Sequence, residues 1–129
     1  MTANQLLQKA VKARHNAYAP FSRFKVGAAL LTSAGKLHTG CNIENATYGL
    51  TVCAERVALW KALSEGERSF LRIAIASDSD PPAAPCGACR QLLWEFCGDL
   101  EIVLGNASGV KESHRLADLF PRPFDQRSL

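Results

Sequence analysis

The chain has 129 residues, of which 47% are hydrophobic and 21% are charged, and its formal net charge is +3. No apolar run is long enough to span a membrane, and the 15 basic residues are scattered, which argues against nucleic-acid and membrane partners. This length and composition are typical of one globular domain, which we expect to cover residues 1–129.

The first third of the chain predicts a helix followed by a hairpin. Thr2 and Gln5 form a capping-box pattern at the start of a helix, and Pro20 is expected to stop it. The mostly apolar run 24–31 predicts a strand, and a short glycine-containing turn joins it to a second strand over 37–42. So short a connection predicts antiparallel pairing.

The middle of the chain predicts alternating helices and strands. A helix over about 52–65 is expected to end at Gly66, and the apolar run 71–76 predicts a strand covered on both faces. A second helix is predicted from near residue 86 to residue 96, and it is followed by a strand over 101–104.

The last predicted elements are a short strand near Val110 and a helix capped by Ser113 that ends near Phe120. Strands separated by helices favour parallel pairing, whereas the hairpin requires an antiparallel pair. The predicted fold class is therefore α/β, a three-layer α/β/α sandwich with a mixed five-stranded sheet.

Five cysteines and the character of the N-terminal residues bear on the compartment. The first 15 residues lack the apolar run and small-residue cleavage site of a signal peptide, so we expect a cytoplasmic protein. An odd number of cysteines in a reducing compartment favours metal binding or catalysis over disulfide bonds.

Three of the cysteines occur in patterns typical of a zinc site: Cys53 in VCAER, and Cys86 with Cys89 in PCGACR. Two residues separate Cys86 from Cys89, the spacing at which two thiolates bind one metal ion. All three are predicted near helix N-termini, where the partial positive charge favours thiolate over thiol. Three protein ligands leave a fourth position of zinc open for a water molecule, whose pKa the metal lowers.

Charged residues beside these cysteines predict supporting roles. Glu55 can reach a metal-bound water without ligating zinc, so it is the candidate proton carrier. Arg56 and Arg90 each lie close to a ligand cysteine in the sequence, and we expect both to donate hydrogen bonds to thiolate sulfurs.

The other two cysteines, Cys41 and Cys97, are expected to be small buried hydrophobic residues. A closed structural site with either of them as fourth ligand is the alternative, and it would make the protein a zinc-stabilised binding module. That alternative leaves Glu55 without a role, and only one Cys-x-x-Cys pair is present.

The segments TVCAERVAL and PCGACRQLLWEF resemble the signature of the zinc deaminases, which bind zinc through three residues and use a non-ligating glutamate. Together with FKVGAALL, GCNIENATYGL and LFPRPF, they make the chain similar to the small homotetrameric cytidine deaminases over about residues 17–124. The resemblance implies one Zn²⁺ per subunit and hydrolysis of cytidine or 2′-deoxycytidine to uridine or 2′-deoxyuridine and ammonia, a step of pyrimidine salvage.

The resemblance also implies roles for substrate-binding residues. Asn42 and Glu44 would hydrogen-bond the ribose hydroxyls, and Phe24 would pack against the base or sugar. The backbone N–H of Ala54 would stabilise the pyrimidine carbonyl, while Glu55 would contact N3 and the departing amine.

Members of this family complete one another's active sites. Phe124 matches an aromatic residue that reaches the pocket of a neighbouring subunit, and Tyr48 is expected near that shared boundary. A deaminase of another small aminopyrimidine, such as a nucleoside antibiotic, stays open as an alternative. A polynucleotide-editing deaminase would need a basic, aromatic groove and usually a histidine ligand, and the sequence shows neither.

Overall fold

The computed structural model describes residues 1–129. Its elements, in chain order, are α1 (Ala3–Arg14), β1 (Gly27–Thr32), β2 (Leu37–Cys41), α2 (Ala54–Ser64), β3 (Phe70–Ala76), α3 (Gly87–Cys97), β4 (Glu101–Asn106), β5 (Gly109–Arg115) and α4 (Leu116–Leu119). Two single turns of 3-10 helix, Tyr48–Leu50 and Gln126–Ser128, complete the structure. None of the helices combines the length and the apolar character that crossing a membrane requires.

All five strands form one sheet in the order β2-β1-β3-β4-β5. Strand β1 is antiparallel to both β2 and β3, β3 is parallel to β4, and β4 is antiparallel to β5. The parallel pair is joined through α3, as a parallel connection requires. The predicted mixed five-stranded sheet is confirmed.

Helices cover both faces of the sheet, and the alternation of side chains along β1 separates the two cores. Ala29 and Leu31 belong to the core beneath α1, whereas Ala28 and Leu30 belong to the core beneath α2 and α3. Every residue of β1 is buried because both of its faces are covered. This arrangement confirms the three-layer α/β/α sandwich.

Gly40 in β2 allows the start of α2 to lie directly on the sheet. A Cβ atom at this position would lie 2.6 Å from Ala54 O and 2.6 Å from Ala58 N, closer than real Cβ contacts. Only glycine therefore permits this approach of helix and strand, which fixes the height of the first turn of α2 above the sheet.

Two predicted boundaries are wrong. Helix α1 ends at Arg14 instead of near Pro20, because Tyr18 N–H donates to Asn42 O over 3.0 Å and draws the chain into a bridge beside β2. Ser113 does not cap a helix; it lies within β5, where it pairs with Val103 of β4. Strand β5 is an edge strand rich in charged side chains, and such strands lack the apolar alternation that sequence patterns detect.

Candidate metal centre and active-site cleft

The N-termini of α2 and α3 meet at a cluster of three sulfur atoms. Cys53 is the N-cap of α2 and Cys86 is the N-cap of α3, and neither side chain makes a capping hydrogen bond. Cys89 follows in the first turn of α3 and is buried. The three Sγ atoms lie within 4.8 Å of one another, and those of Cys53 and Cys86 are 4.0 Å apart.

The spacing of the sulfur atoms fits zinc. With Zn–S bonds of about 2.3 Å, tetrahedral coordination places two thiolate sulfurs about 3.8 Å apart. All five cysteines are free thiols, and neither Cys41 nor Cys97 belongs to the cluster. The protein therefore supplies three thiolate ligands, as predicted, and the closed four-cysteine site does not form.

The protein's own groups favour the thiolate form of Cys53 without a metal ion. A hydrogen bond from the Cys89 thiol, with help from the Arg56 guanidinium, lowers the pKa of Cys53 to about 5. The same hydrogen bond, together with burial, raises the pKa of Cys89 well above its ordinary value. Cys53 is thus already charged at neutral pH, and a cation would displace the proton that is held on Cys89.

The two arginines differ in what they contact. Arg56 Nη2 donates to the Sγ of Cys53 over 3.5 Å, as predicted. Arg90 instead donates from Nε to Pro85 O over 2.8 Å and from Nη1 to Leu119 O over 2.5 Å. The prediction that Arg90 donates a hydrogen bond to a thiolate is therefore wrong, because its guanidinium donates to two backbone carbonyls instead.

Glu55 is the second residue of α2, and only 5% of its surface is exposed. Burial raises the pKa of Glu55 to about 7, and the nearby Cys53 thiolate adds to this effect. A carboxyl group with such a pKa can accept a proton and return it at neutral pH, which is the requirement for general acid–base catalysis.

A cleft of about 190 Å³ opens beside Glu55 and the sulfur cluster. Its lining includes six predicted site residues: Phe24, Asn42, Cys53, Ala54, Glu55 and Cys86. It also includes six residues that sequence reasoning missed: Val26, Thr51, Val52, Ile75, Ala83 and Ala84. The missed residues are mostly small or apolar, so only their position in the fold distinguishes them from ordinary core residues.

The backbone of Ala54 adds a hydrogen-bond donor to this cleft. Ala54 is the first residue of α2, and the first N–H groups of a helix have no acceptor within the helix. The partial positive charge at the same helix end favours an electron-rich ligand atom. A carbonyl oxygen of a bound ring is therefore a suitable partner for this N–H group.

A second, more open cleft of about 390 Å³ adjoins the first through Thr51. Phe21, Ser22, Glu44 and Tyr48 complete its lining. The rings of Phe21 and Tyr48 meet edge to face, with 6.1 Å between their centroids. The inner cleft suits a flat ring beside the metal ligands, and the outer cleft offers polar groups farther from them.

Asn42 and Glu44 both bind the loop that connects α1 to β1. Asn42 accepts from Val26 N over 2.8 Å and donates to Phe24 O over 2.7 Å, which leaves one N–H of its amide free. Glu44 accepts from the backbone N–H groups of Phe21 and Ser22 and from the Ser22 hydroxyl. These hydrogen bonds lower the pKa of Glu44, so it is a carboxylate near neutral pH.

Phe124 lines neither cleft of its own chain. Its side chain is 60% exposed, while its carbonyl accepts a hydrogen bond from Gln91 Nε2 over 2.8 Å. Among the residues expected to bind substrate, Phe124 alone lies away from both clefts.

Comparison with known proteins shows to which family the chain is similar. Residues 1–105 match the family model described as the cytidine and deoxycytidylate deaminase zinc-binding region. The chain is 49% identical to a cytidine deaminase of Halalkalibacterium halodurans, and the match covers 100% of this chain and 98% of that one. It is 46% identical to a cytidine deaminase of Sporosarcina psychrophila, with coverage of 100% and 96%.

Solved structures agree with the sequence relatives. The crystal structure of cytidine deaminase from Burkholderia pseudomallei superposes with a TM-score of 0.92 at 50% identity, covering 96% of this chain and 100% of that chain. The enzyme from Mycobacterium tuberculosis superposes with a TM-score of 0.80 at 40% identity, covering 93% and 94%.

Proposed function

The chain belongs to the cytidine deaminase family, and from this membership we propose that it hydrolyses cytidine and 2′-deoxycytidine to uridine and 2′-deoxyuridine with release of ammonia. The observation that carries the proposal is the buried carboxyl of Glu55, which lies two residues after a ligand of the three-sulfur cluster and lines the same cleft. A structural zinc site needs no proton carrier, whereas a hydrolytic deaminase does.

The three cysteines and Glu55 divide the chemistry between them. Cys53, Cys86 and Cys89 would hold a Zn²⁺ ion, which would lower the pKa of a water molecule and so supply the nucleophile near neutral pH. Glu55 accepts a proton from that water and delivers it to N3 of the pyrimidine, which makes C4 electrophilic. Once the water oxygen has bonded to C4, Glu55 accepts the remaining proton of that oxygen and transfers it to the amino group. The C4–N bond then breaks, the C4 carbonyl forms and ammonia leaves.

The surroundings of the inner cleft orient the base. The backbone N–H of Ala54 hydrogen-bonds the pyrimidine carbonyl, at the helix end whose partial charge favours it. Phe24 packs against the base or sugar, and apolar Val26 and Ile75 limit the access of water to the reacting atoms.

Polar groups of the two adjoining clefts bind the sugar: Asn42 in the inner cleft and Glu44 in the outer one. Asn42 has a free N–H, and Glu44 has one carboxylate position beyond the three donors that it already accepts. Hydrogen bonds to the loop before β1 hold the side chains of Asn42 and Glu44 in place. Binding the ribose hydroxyls therefore costs these side chains little conformational entropy. Tyr48 also lines the outer cleft.

Exposed aromatic side chains support assembly into a homotetramer with shared active sites. Phe21, Tyr48 and Phe124 are all more than half exposed, as are Tyr18 and Leu50. Large apolar patches on a protein of this size mark interaction surfaces. Phe124 then completes the cleft of a neighbouring copy, and each copy binds one Zn²⁺.

The proposed setting is pyrimidine salvage in the cytoplasm by a chain of one domain. A reducing compartment keeps all five cysteines as thiols, which the metal site requires. The arginines near the ligands support the site in two ways: Arg56 offsets the negative charge of the sulfurs, and Arg90 fixes the loop before Cys86.

Loss of cytidine absorbance with purified protein, measured together with zinc content per chain, tests the proposal. Turnover of cytidine and 2′-deoxycytidine with one zinc per chain would support it. Zinc binding without turnover of any aminopyrimidine would contradict it and favour a zinc-stabilised binding module. Turnover confined to nucleosides with a modified base or sugar would assign another substrate.

A further inference from the structure

Helix α3 binds two different parts of the molecule. Its N-terminal end carries Cys86 and Cys89, and the side chains that follow hydrogen-bond residues 119–125, which we call the C-terminal segment. Gln91 Nε2 donates to Phe124 O over 2.8 Å, and Trp94 Nε1 donates to the carboxylate of Asp125 over 2.9 Å. The helix that contributes to the metal centre therefore also positions the C-terminal segment.

Asp125 is a strong anchor for this segment. Only 12% of its side chain is exposed, and its carboxylate accepts from the backbone N–H of Arg127 over 2.9 Å as well as from the Arg127 guanidinium. These bonds, with that from Trp94, hold the pKa of Asp125 below its usual range. The indole N–H of Trp94 thus donates to a charged acceptor, which makes a stronger bond than one to a neutral group.

Phe124 lies between these two attachments. Gln91 donates to the backbone carbonyl of Phe124, and Trp94 donates to the side chain of the next residue, Asp125. The ring of Phe124 itself is 60% exposed. A fixed backbone beneath an exposed aromatic ring is the arrangement expected of a residue that binds outside its own chain, because ordering the ring on association then costs little entropy.

We propose that Gln91 and Trp94 are positioning residues that hold Phe124 where it completes the substrate cleft of a second copy of this chain. The inference rests on the proposed role of Phe124 in the neighbouring cleft. Because α3 also carries Cys86 and Cys89, the helix that binds the metal of one subunit determines how well the next subunit binds nucleoside.

Trp94→Phe tests the inference, since it keeps an aromatic ring and removes the N–H donor. We expect KM for cytidine to rise roughly tenfold, the equivalent of one hydrogen bond to a charged group. We expect kcat and zinc content to stay near those of the parent protein, because Glu55 and the sulfur cluster are untouched. Gln91→Met, which removes the other donor, should act in the same direction.

Matched variants separate positioning from general destabilisation. Trp60→Phe makes the same change in α2, where the indole is 49% exposed and makes no hydrogen bond, and should leave KM unchanged. Asp125→Asn keeps a neutral acceptor for Trp94 and should therefore raise KM less than Asp125→Leu, which removes the acceptor. Hydrogen exchange of residues 119–129 should accelerate in Trp94→Phe and not in Trp60→Phe.

Hybrid assemblies test whether the effect crosses the subunit boundary. Trp94→Phe subunits, which retain Glu55, are co-expressed with Glu55→Ala subunits that retain Trp94, and the mixed assemblies are isolated through two affinity tags. In these hybrids only the Trp94→Phe subunits have a competent cleft. Where the neighbouring Glu55→Ala subunit supplies an intact Trp94, that cleft should regain a low KM for cytidine. A raised KM in every hybrid would show that Trp94 acts within its own chain and would overturn the inference.

Phe124→Ala separates failure of the inference from failure of the proposed function. If Phe124→Ala raises KM and Trp94→Phe does not, the role of Gln91 and Trp94 is refuted while that of Phe124 stands. If Phe124→Ala leaves KM unchanged, the shared cleft itself is refuted and the inference with it. Deamination by the parent protein is measured in the same series and depends on neither result.

Discussion

Arg56 Nη2 donates a hydrogen bond to the Sγ of Cys53 over 3.5 Å, so a ligand of the metal centre and its counter-charge lie in the same first turn of α2. Three thiolates around Zn²⁺ carry a formal charge of −1, and a guanidinium beside one sulfur offsets that charge. The offset should matter for both metal affinity and the acidity of the zinc-bound water, because excess negative charge at the metal makes that water less acidic.

Arg56→Gln should weaken zinc binding by about 10- to 100-fold, the usual effect of losing a partner of a metal ligand, and should lower kcat as well. Competition with a chromophoric chelator measures the affinity. Arg68→Gln is the matched control, because Arg68 binds only the backbone carbonyls of Leu63 and Glu67, outside the cleft. Equal zinc affinity in both variants would show that Arg56 does not support the site.

Glu55→Ala should keep its zinc and lose deamination by about 10² to 10⁴ in kcat, because the only buried carboxyl of the cleft is removed while all three sulfurs stay. Zinc per chain and the rate of cytidine absorbance loss are measured together. Glu67→Gln, which alters a carboxylate paired with Lys36 on the surface, should behave as the parent protein does. Near-normal turnover by Glu55→Ala would refute the proposed proton carrier.

The sequence predicted the metal centre well because its determinants are local. Cys86 and Cys89 are three positions apart, and Cys53 and Glu55 lie within one helical turn, so the helix itself brings the members of each pair together. That the N-termini of α2 and α3 meet is a tertiary contact. The two cysteine motifs together were specific enough to predict it.

Other features depended on contacts that no local pattern encodes. The Arg90 guanidinium is bound by Leu119 O, which lies 29 positions away along the chain, so adjacency to Cys89 was a poor guide to its partner. The end of α1 was misjudged for a related reason, since Tyr18 leaves the helix to hydrogen-bond Asn42. Tertiary hydrogen bonds decided both outcomes.

Gly40→Ala should destabilise the protein and weaken zinc binding together. The added Cβ would meet Ala54 O and Ala58 N at 2.6 Å, and both are backbone atoms that move only if the start of α2 moves. Overpacking of this kind costs about 1–3 kcal/mol. Thermal unfolding and chelator competition measure the two effects.

Gly49→Ala is the matched control for that substitution, because a Cβ at Gly49 meets nothing within 4 Å and its backbone has no positive φ. It should leave both the melting temperature and the zinc affinity near those of the parent protein. If Gly40→Ala lowered stability without changing zinc affinity, the packing of α2 on β2 would not set the position of Cys53.

Cys97 should make the protein less stable in alkali. Burial raises the pKa of Cys97 to about 12 from 9.0, so between those values the native state keeps a proton that the unfolded chain releases. The native state then binds more protons than the unfolded one, and stability falls as pH rises from about 9 toward 12, by up to a few kcal/mol at 1.36 kcal/mol for each pKa unit.

Cys97→Ala removes this contribution, so the difference in unfolding free energy between the variant and the parent protein should shrink as pH rises from 8 to 11. Urea unfolding at each pH measures that difference, and comparison at matched pH cancels the titration of all other groups. The same burial should protect the thiol from iodoacetamide at pH 8 in the folded protein and not in urea. A difference in unfolding free energy that stays constant with pH, together with rapid labelling of folded Cys97, would mean that its thiol is not held in the neutral form by burial.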